Sequence, residues 1–168
     1  MKYFPLLFLI LISFLACNPS HSGRTTISLN GEWQLATSTD IGIRPTIYDT
    51  VCPVPGLVDM ARPSAPDVIT SDRIYWYKRS FPTSSQPFEI CHFKINKAKY
   101  HTRVYVNGQF VGENPYSFTP TELDITTYLN PSGESNEIVI AVGCRNNLPL
   151  NVSDGNDFEK DYYFPGIY

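Results

Sequence analysis

Positive charge is what this chain is short of. Its 168 residues hold 13 Lys and Arg against 16 Asp and Glu, a formal net charge of −3. That excludes the basic footprint that nucleic-acid binding requires. Histidine is rarer, at 3 residues. His21, His92 and His101 stand apart from any Ser or Cys arrangement that would form a triad, and they read as structural or incidental. The 4 cysteines, Cys17, Cys52, Cys91 and Cys144, match no zinc spacing. No segment carries a sustained helical period, no unit repeats, and no low-complexity tract interrupts the chain. Carboxylates are scattered, and the one cluster, Asp154, Asp157, Glu159 and Asp161, lies in a single polar loop.

What is present begins with an address. Met1-Lys2 supplies a short positive start and Leu6 to Ile12 an unbroken apolar run, too short for a comfortable membrane span and right for a secretory leader. Ala16 precedes Cys17, the arrangement of a bacterial lipobox, although Phe14 stands where that pattern prefers Leu. The expectation is a lipoprotein signal peptide over residues 1–16, lipidation of Cys17, a polar tether over 17–26 and a folded domain over 27–168. That places the protein at the bacterial outer membrane, on its periplasmic or cell-surface side. A plain secreted form and an uncleaved anchor are the alternatives. With Cys17 acylated, one disulfide among Cys52, Cys91 and Cys144 is allowed and none is required.

Aromatics make up 14% of the chain, with 11 Tyr, 10 Phe and 2 Trp, and 14 Pro and 10 Gly punctuate it. Apolar residues alternate or come in short β-branched and aromatic blocks, the mark of strands. Strands are predicted over Gly31 to Ala36, Ile74 to Phe81, Phe88 to Ile95, Arg103 to Val106, Gln109 to Glu113 and Glu137 to Cys144. Asn107-Gly108 between two alternating runs predicts a tight hairpin with a type I′ turn. Thr119 to Asp124 reads as one helical turn before Ile125. Trp33 and Trp76 sit inside strand runs and belong to the core. The whole is an all-β sandwich of the jelly-roll kind.

The punctuation, taken in order, resembles the N-terminal domain of glycoside hydrolase family 2. Ile27 to Trp33 (ISLNGEW) is similar to that family's "LNGxW" strand, and Val54-Pro55-Gly56 to the loop after its first strand pair. Tyr75 to Phe81 (YWYKRSF) resembles "WYR", with Lys78 where Arg is commoner. Val104 to Gly112 (VYVNGQFVG) resembles "VxVNGxxVG". Phe118-Thr119-Pro120 with Leu123 to Thr126 resembles "SFTPxxxDIT", Asn136 to Val142 resembles "NxIxVxV", and Pro165-Gly166-Ile167-Tyr168 resembles the start of "GGIYRDV".

The resemblance implies a galactose-binding-domain-like jelly roll that binds β-glycosides, with no cofactor and no catalytic residue of its own. The family's two glutamates belong to a barrel domain, which would be this domain's partner, and the β-galactosidases, β-glucuronidases and β-mannosidases share the scaffold. The chain stops where the family's last strand would begin, so an exposed edge and a fragment of a longer glycosidase are expected. In some members a loop before the "GI" segment presents an Asp to the sugar, and Asp161 matches it by position. A solvated acidic loop is the plain alternative for Asp161, and Asp154-Gly155-Asn156-Asp157 lacks the full ligand series of a calcium loop. Two further readings stand: a free-standing glycan-binding surface lipoprotein, and a structural brace with no affinity alone.

Overall fold

The computed structural model describes residues 23–64, 73–99, 101–143 and 164–168. Among the described residues, eleven strands follow in chain order: β1 Gly31–Ser38, β2 Thr50–Val54, β3 Gly56–Leu57, β4 Ile74–Pro82, β5 His92–Ile95, β6 Ala98–Lys99, β7 Thr102–Val106, β8 Gln109–Asn114, β9 Thr121–Asp124, β10 Ser135–Val142 and β11 Gly166–Ile167. Short 3-10 turns occupy Val58–Met60 and Thr126–Tyr128. One layer is a six-stranded sheet in the order β2-β1-β4-β10-β7-β8. Facing it are a three-stranded sheet, β3-β11-β6, and a two-stranded one, β5-β9. Every pairing is antiparallel.

Strand periodicity explains the packing. Trp33 and Leu35 of β1, Tyr75 and Tyr77 of β4, Val104 and Val106 of β7, and Ile138, Ile140 and Val142 of β10 all point inward. They meet Phe93, Ile95, Ala98, Ile125 and Ile167 from the facing layer. Each such side chain, fully buried, contributes about 1.5–3 kcal/mol. The intervening residues Ala36, Ile74, Trp76, Val139 and Ala141 are buried as well, because Ile41, Tyr48 and Tyr105 pack over the outer face. The Trp76 indole N–H donates to Ser38 Oγ at 2.8 Å. Both tryptophans are core, as expected: Trp33 and Trp76 are buried.

The family motifs lock onto one another. Trp33 Nε1 donates to the Leu29 carbonyl at 2.8 Å, and Arg79 Nη1 donates to the carbonyls of Asn30 and Glu32, each at 3.2 Å. At the β7–β8 turn, φ is 48° at Asn107 and 80° at Gly108, the positive values a type I′ turn needs. Asn107 does more than turn the chain. Its Nδ2 donates to Tyr128 O and Asn136 Oδ1, each at 2.8 Å, and its Oδ1 accepts from the Glu137 N–H.

Two local expectations are corrected. Thr121–Asp124 is strand β9, paired with β5, rather than a helical turn. The turn comes one step later, where Asp124 Oδ1 accepts from Thr126 N and from its hydroxyl. The strand expected from Phe88 starts only at His92, since Phe88 and Ile90 are exposed and find no ladder. A strand that no sequence pattern announced, Gly166–Ile167, runs between β3 and β6 as an inner strand of its sheet.

Candidate functional site

Strand β8 ends at Asn114, whose side chain staples the connection to β9. Its Nδ2 lies 3.0 Å from the hydroxyls of Thr119 and Thr121 and 3.3 Å from Pro120 O, while its Oδ1 accepts from the Tyr116 N–H at 3.0 Å. Asn and Thr side chains that bond nearby backbone in this way stiffen a loop that has no ladder of its own. Phe118 sits at φ 58°, held by its N–H on the Ala98 carbonyl at 3.0 Å, and its ring rests on Tyr168 with centroids 6.4 Å apart. The loop therefore presents Tyr116, 59% exposed, on a fixed backbone.

Tyr116 helps line an open cleft of about 370 Å³, together with Glu113, Asn114, Thr119, Thr121, Glu122, Pro120 and Leu123. Its two carboxylates are gripped from behind. Glu113 Oε2 accepts from Arg103 Nε at 2.8 Å and lies 3.1 Å from Nε2 of buried His101. Glu122 Oε1 lies 3.0 Å from His92 Nδ1. Partial burial alone would raise the Glu113 pKa, but the hydrogen bonds and charges of His101 and Arg103 outweigh it and hold the carboxyl below its ordinary value. Glu122 is held down chiefly by its His92 hydrogen bond, and Asp124 chiefly by the Thr126 hydroxyl.

The pH consequence follows in sign. A carboxyl whose folded pKa is depressed adds stability above its unfolded value of about 4.3 and loses it as pH falls through the folded value. Glu113→Gln is expected to lower stability by under about 1 kcal/mol at pH 7, because the pair is half exposed. The gap between variant and wild type in thermal melts should close as pH falls below about 4. A gap that persists undiminished under acid would rule out the ionic contribution.

General-acid work on a glycosidic bond needs a carboxyl with a raised pKa, and both cleft carboxylates are pushed the other way. No group of three or more potential metal ligands occurs among the described residues. Cys52 is no nucleophile either: burial pushes its thiol up to about 11, despite the opposing influence of the Tyr77 hydroxyl. Cys52 and Cys91 both carry free thiols.

Neither site residue expected from the sequence, Asp161 or Cys17, lies within the described residues, and the rest of the acidic loop and Cys144 share that position. The anchors of the Asp161 segment are described. Gly143 N donates to His101 O at 3.2 Å, and Gly166 pairs with Lys99, so both described flanks lie at the β6–β7 corner, where His101 reaches Glu113. The cleft itself escaped the sequence reading. Its only signal was an aromatic in a Pro-bounded loop, Asn114-Pro115-Tyr116, which is common in surface loops.

The fold and its motifs match those of known proteins. Residues 16–168 match the model of the glycosyl hydrolases family 2 sugar binding domain. The chain is 33% identical over 79 residues to a β-galactosidase of Thermoanaerobacter pseudethanolicus, covering 43% of this chain and 10% of that protein. It is 43% identical over 70 residues to a β-galactosidase of Priestia megaterium, covering 39% and 6%. The chain thus spans a tenth or less of these relatives. Among solved structures, a Faecalibacterium prausnitzii β-glucuronidase superposes with a TM-score of 0.65 over 90% of this chain and 29% of its own, at 18% identity. A β-D-glucuronidase from Dictyoglomus thermophilum gives 0.54 at 28% identity, over 68% of this chain and 19% of its own. With its motif-bearing strands in place and the family model matched from end to end of the fold, the chain belongs to glycosyl hydrolase family 2, as its sugar binding domain.

Proposed function

We propose that this domain is the non-catalytic, N-terminal sugar-binding part of a β-glycosidase that acts in carbohydrate metabolism. The observation that carries the reading is the family match over residues 16–168, joined to a cleft whose two carboxyls are both held below their ordinary pKa, the opposite of what a general acid needs. The hydrolytic pair would be supplied by a barrel domain, whose two carboxyls stand about 5 Å apart in retaining enzymes. The coding sequence beyond Tyr168 tests this, read in all three frames. A barrel with two catalytic glutamates is expected; unrelated sequence would overturn the reading in favour of a free-standing glycan-binding lipoprotein.

In this proposal Asp161 lends a carboxylate to the substrate's hydroxyls, and the domain is exported and tethered to the bacterial outer membrane by a lipid on Cys17. Support for the tether is the apolar run Leu6 to Ile12 followed by Ala16-Cys17. Metabolic labelling with radioactive palmitate checks it. The wild-type chain should take up label and partition into detergent, and Cys17→Ala should lose essentially all of both; label retained in the variant would refute lipidation at Cys17.

A further inference from the structure

We infer that the β8–β9 cleft is a subsite for a neutral mono- or disaccharide, with Tyr116 as the stacking platform and Glu113 and Glu122 as acceptors for sugar hydroxyls. The inference rests on the proposed role of the domain as a sugar-binding module, and it names where, and for what class of sugar, that binding occurs.

Four features converge on this ligand. At about 370 Å³ the cleft sits at the small end of ligand sites, which run from roughly 300 to 1,000 Å³. Tyr116 offers a rigid aromatic face, because the Asn114 staple fixes its backbone before any ligand arrives. Pre-ordering of this kind removes part of the entropy lost on binding. A pyranose has an apolar face for such a ring and a rim of hydroxyl donors for acceptors. The acceptors are present and oriented: Glu113 spends Oε2 on Arg103 and His101, and Glu122 spends Oε1 on His92, which points one oxygen of each carboxylate away from its protein partner.

Charge selects the class. Arg103 and His101 lie against Glu113, and His92, Lys94 and Arg24 act on Glu122, so each carboxylate is already offset. A cationic ligand would compete with these partners. An anionic one, such as a uronate, would meet carboxylate oxygens with no cation among the lining residues to pair with it. A neutral polyol meets neither penalty. Asn114, Thr119 and Thr121 add no net charge to the wall, and Leu123 with Pro120 gives its floor an apolar patch.

Calorimetric titration of the full chain with methyl β-galactoside, lactose and cellobiose, and in parallel with glucuronate, tests the inference. At least one neutral sugar is expected to bind, weakly, with glucuronate at least about tenfold weaker. Tyr116→Ala should weaken the neutral sugar at least about fivefold, in line with the loss of one aromatic contact. Glu122→Gln should weaken it less and narrow the gap to glucuronate. Phe110→Ala removes a half-exposed aromatic that instead packs on Tyr105, and should leave binding unchanged. Thermal melts confirm that each variant is folded. Absence of binding to every neutral sugar, equal binding of glucuronate, or an unaffected Tyr116→Ala variant would each overturn the inference. A barrel encoded after Tyr168 alongside any of these results would sink the cleft alone, whereas binding with no such barrel would sink the glycosidase reading alone.

Discussion

Replacing Asn136 with alanine is expected to lower the stability of the domain by about 3–5 kcal/mol, the range reached when a buried polar network loses its hub. Asn136 is 1% exposed at the start of β10. Its Oδ1 accepts from the backbone N–H of Asn130 and from Asn107 Nδ2, each at 2.8 Å, and its Nδ2 donates to Thr83 Oγ1 at 2.6 Å. Thr83 Oγ1 in turn donates to the Asn130 carbonyl at 2.9 Å. Truncation strands two half-buried donors, the Asn130 N–H and one Asn107 amide hydrogen, where a fully buried unsatisfied group costs about 1–3 kcal/mol. The deleted volume adds a cavity. Urea unfolding should show a lower midpoint at an unchanged slope, and the Thr83→Ala and Asn136→Ala effects should fall well short of additive. Additive losses would mean that the pair does not act as one network.

The second large effect is expected at Gly166. A Cβ built there would fall on the carbonyl oxygen of Gly56 and sit 3.0 Å from the Leu57 Cα, both backbone positions of β3. Neither can yield as a side-chain tip would. Gly166→Ala must therefore push β11 away from β3, which breaks the pairing of Gly166 with Leu57 and draws Ile167, 4% exposed, out of the core. Forced overpacking of this kind costs about 1–3 kcal/mol, and the lost pairing brings the expected total to about 2–4 kcal/mol. Amide exchange localises it. Val58 N–H donates to Pro165 O at 3.0 Å and Tyr168 N–H to Lys97 O at 2.8 Å, and both amides should lose protection while the β4–β10 ladder keeps its own. A uniform loss across all three sheets would show instead that β11 unfolds only with the whole domain.

These two positions also show what a one-dimensional reading could reach. The Asn107-Gly108 hairpin and the two core tryptophans were legible because each depends on a local pattern, a turn dipeptide or an alternating run. The order of motifs carried the fold and the family. Asn136 was visible as the first letter of a motif, but its function as hub was not, because its partners Thr83, Asn107 and Asn130 come from three separate connections. Strands β3, β6 and β11 span two residues each and leave no period to count. Thr121–Asp124 reads locally as a helical start, and only pairing with β5 makes it a strand.

The cleft was hidden for a related reason. Nothing in Asn114-Pro115-Tyr116 distinguishes a stapled aromatic platform from an ordinary exposed loop until Thr119 and Thr121 close onto Asn114. His92 and His101 were read as structural or incidental, and each in fact holds a carboxylate of the cleft from behind. Buried Cys52 lies in β2, Thr50–Val54, a strand that the sequence pattern did not announce. The outer face of the large sheet is apolar, although an open sandwich face is usually polar, because residues Ile41 and Tyr48 of the β1–β2 connection lie across it. A long connection doubling as a lid on a sheet face leaves no trace in local sequence.

Binding without cleavage is the central claim, and one tube can test both halves of it. The isotope-labelled chain is titrated with an aryl β-galactoside while backbone amide shifts and aglycone release are followed together. Saturable shifts with no aglycone released are expected. Release of aglycone, or amide signals that do not move at any sugar concentration, would contradict a non-catalytic sugar-binding domain.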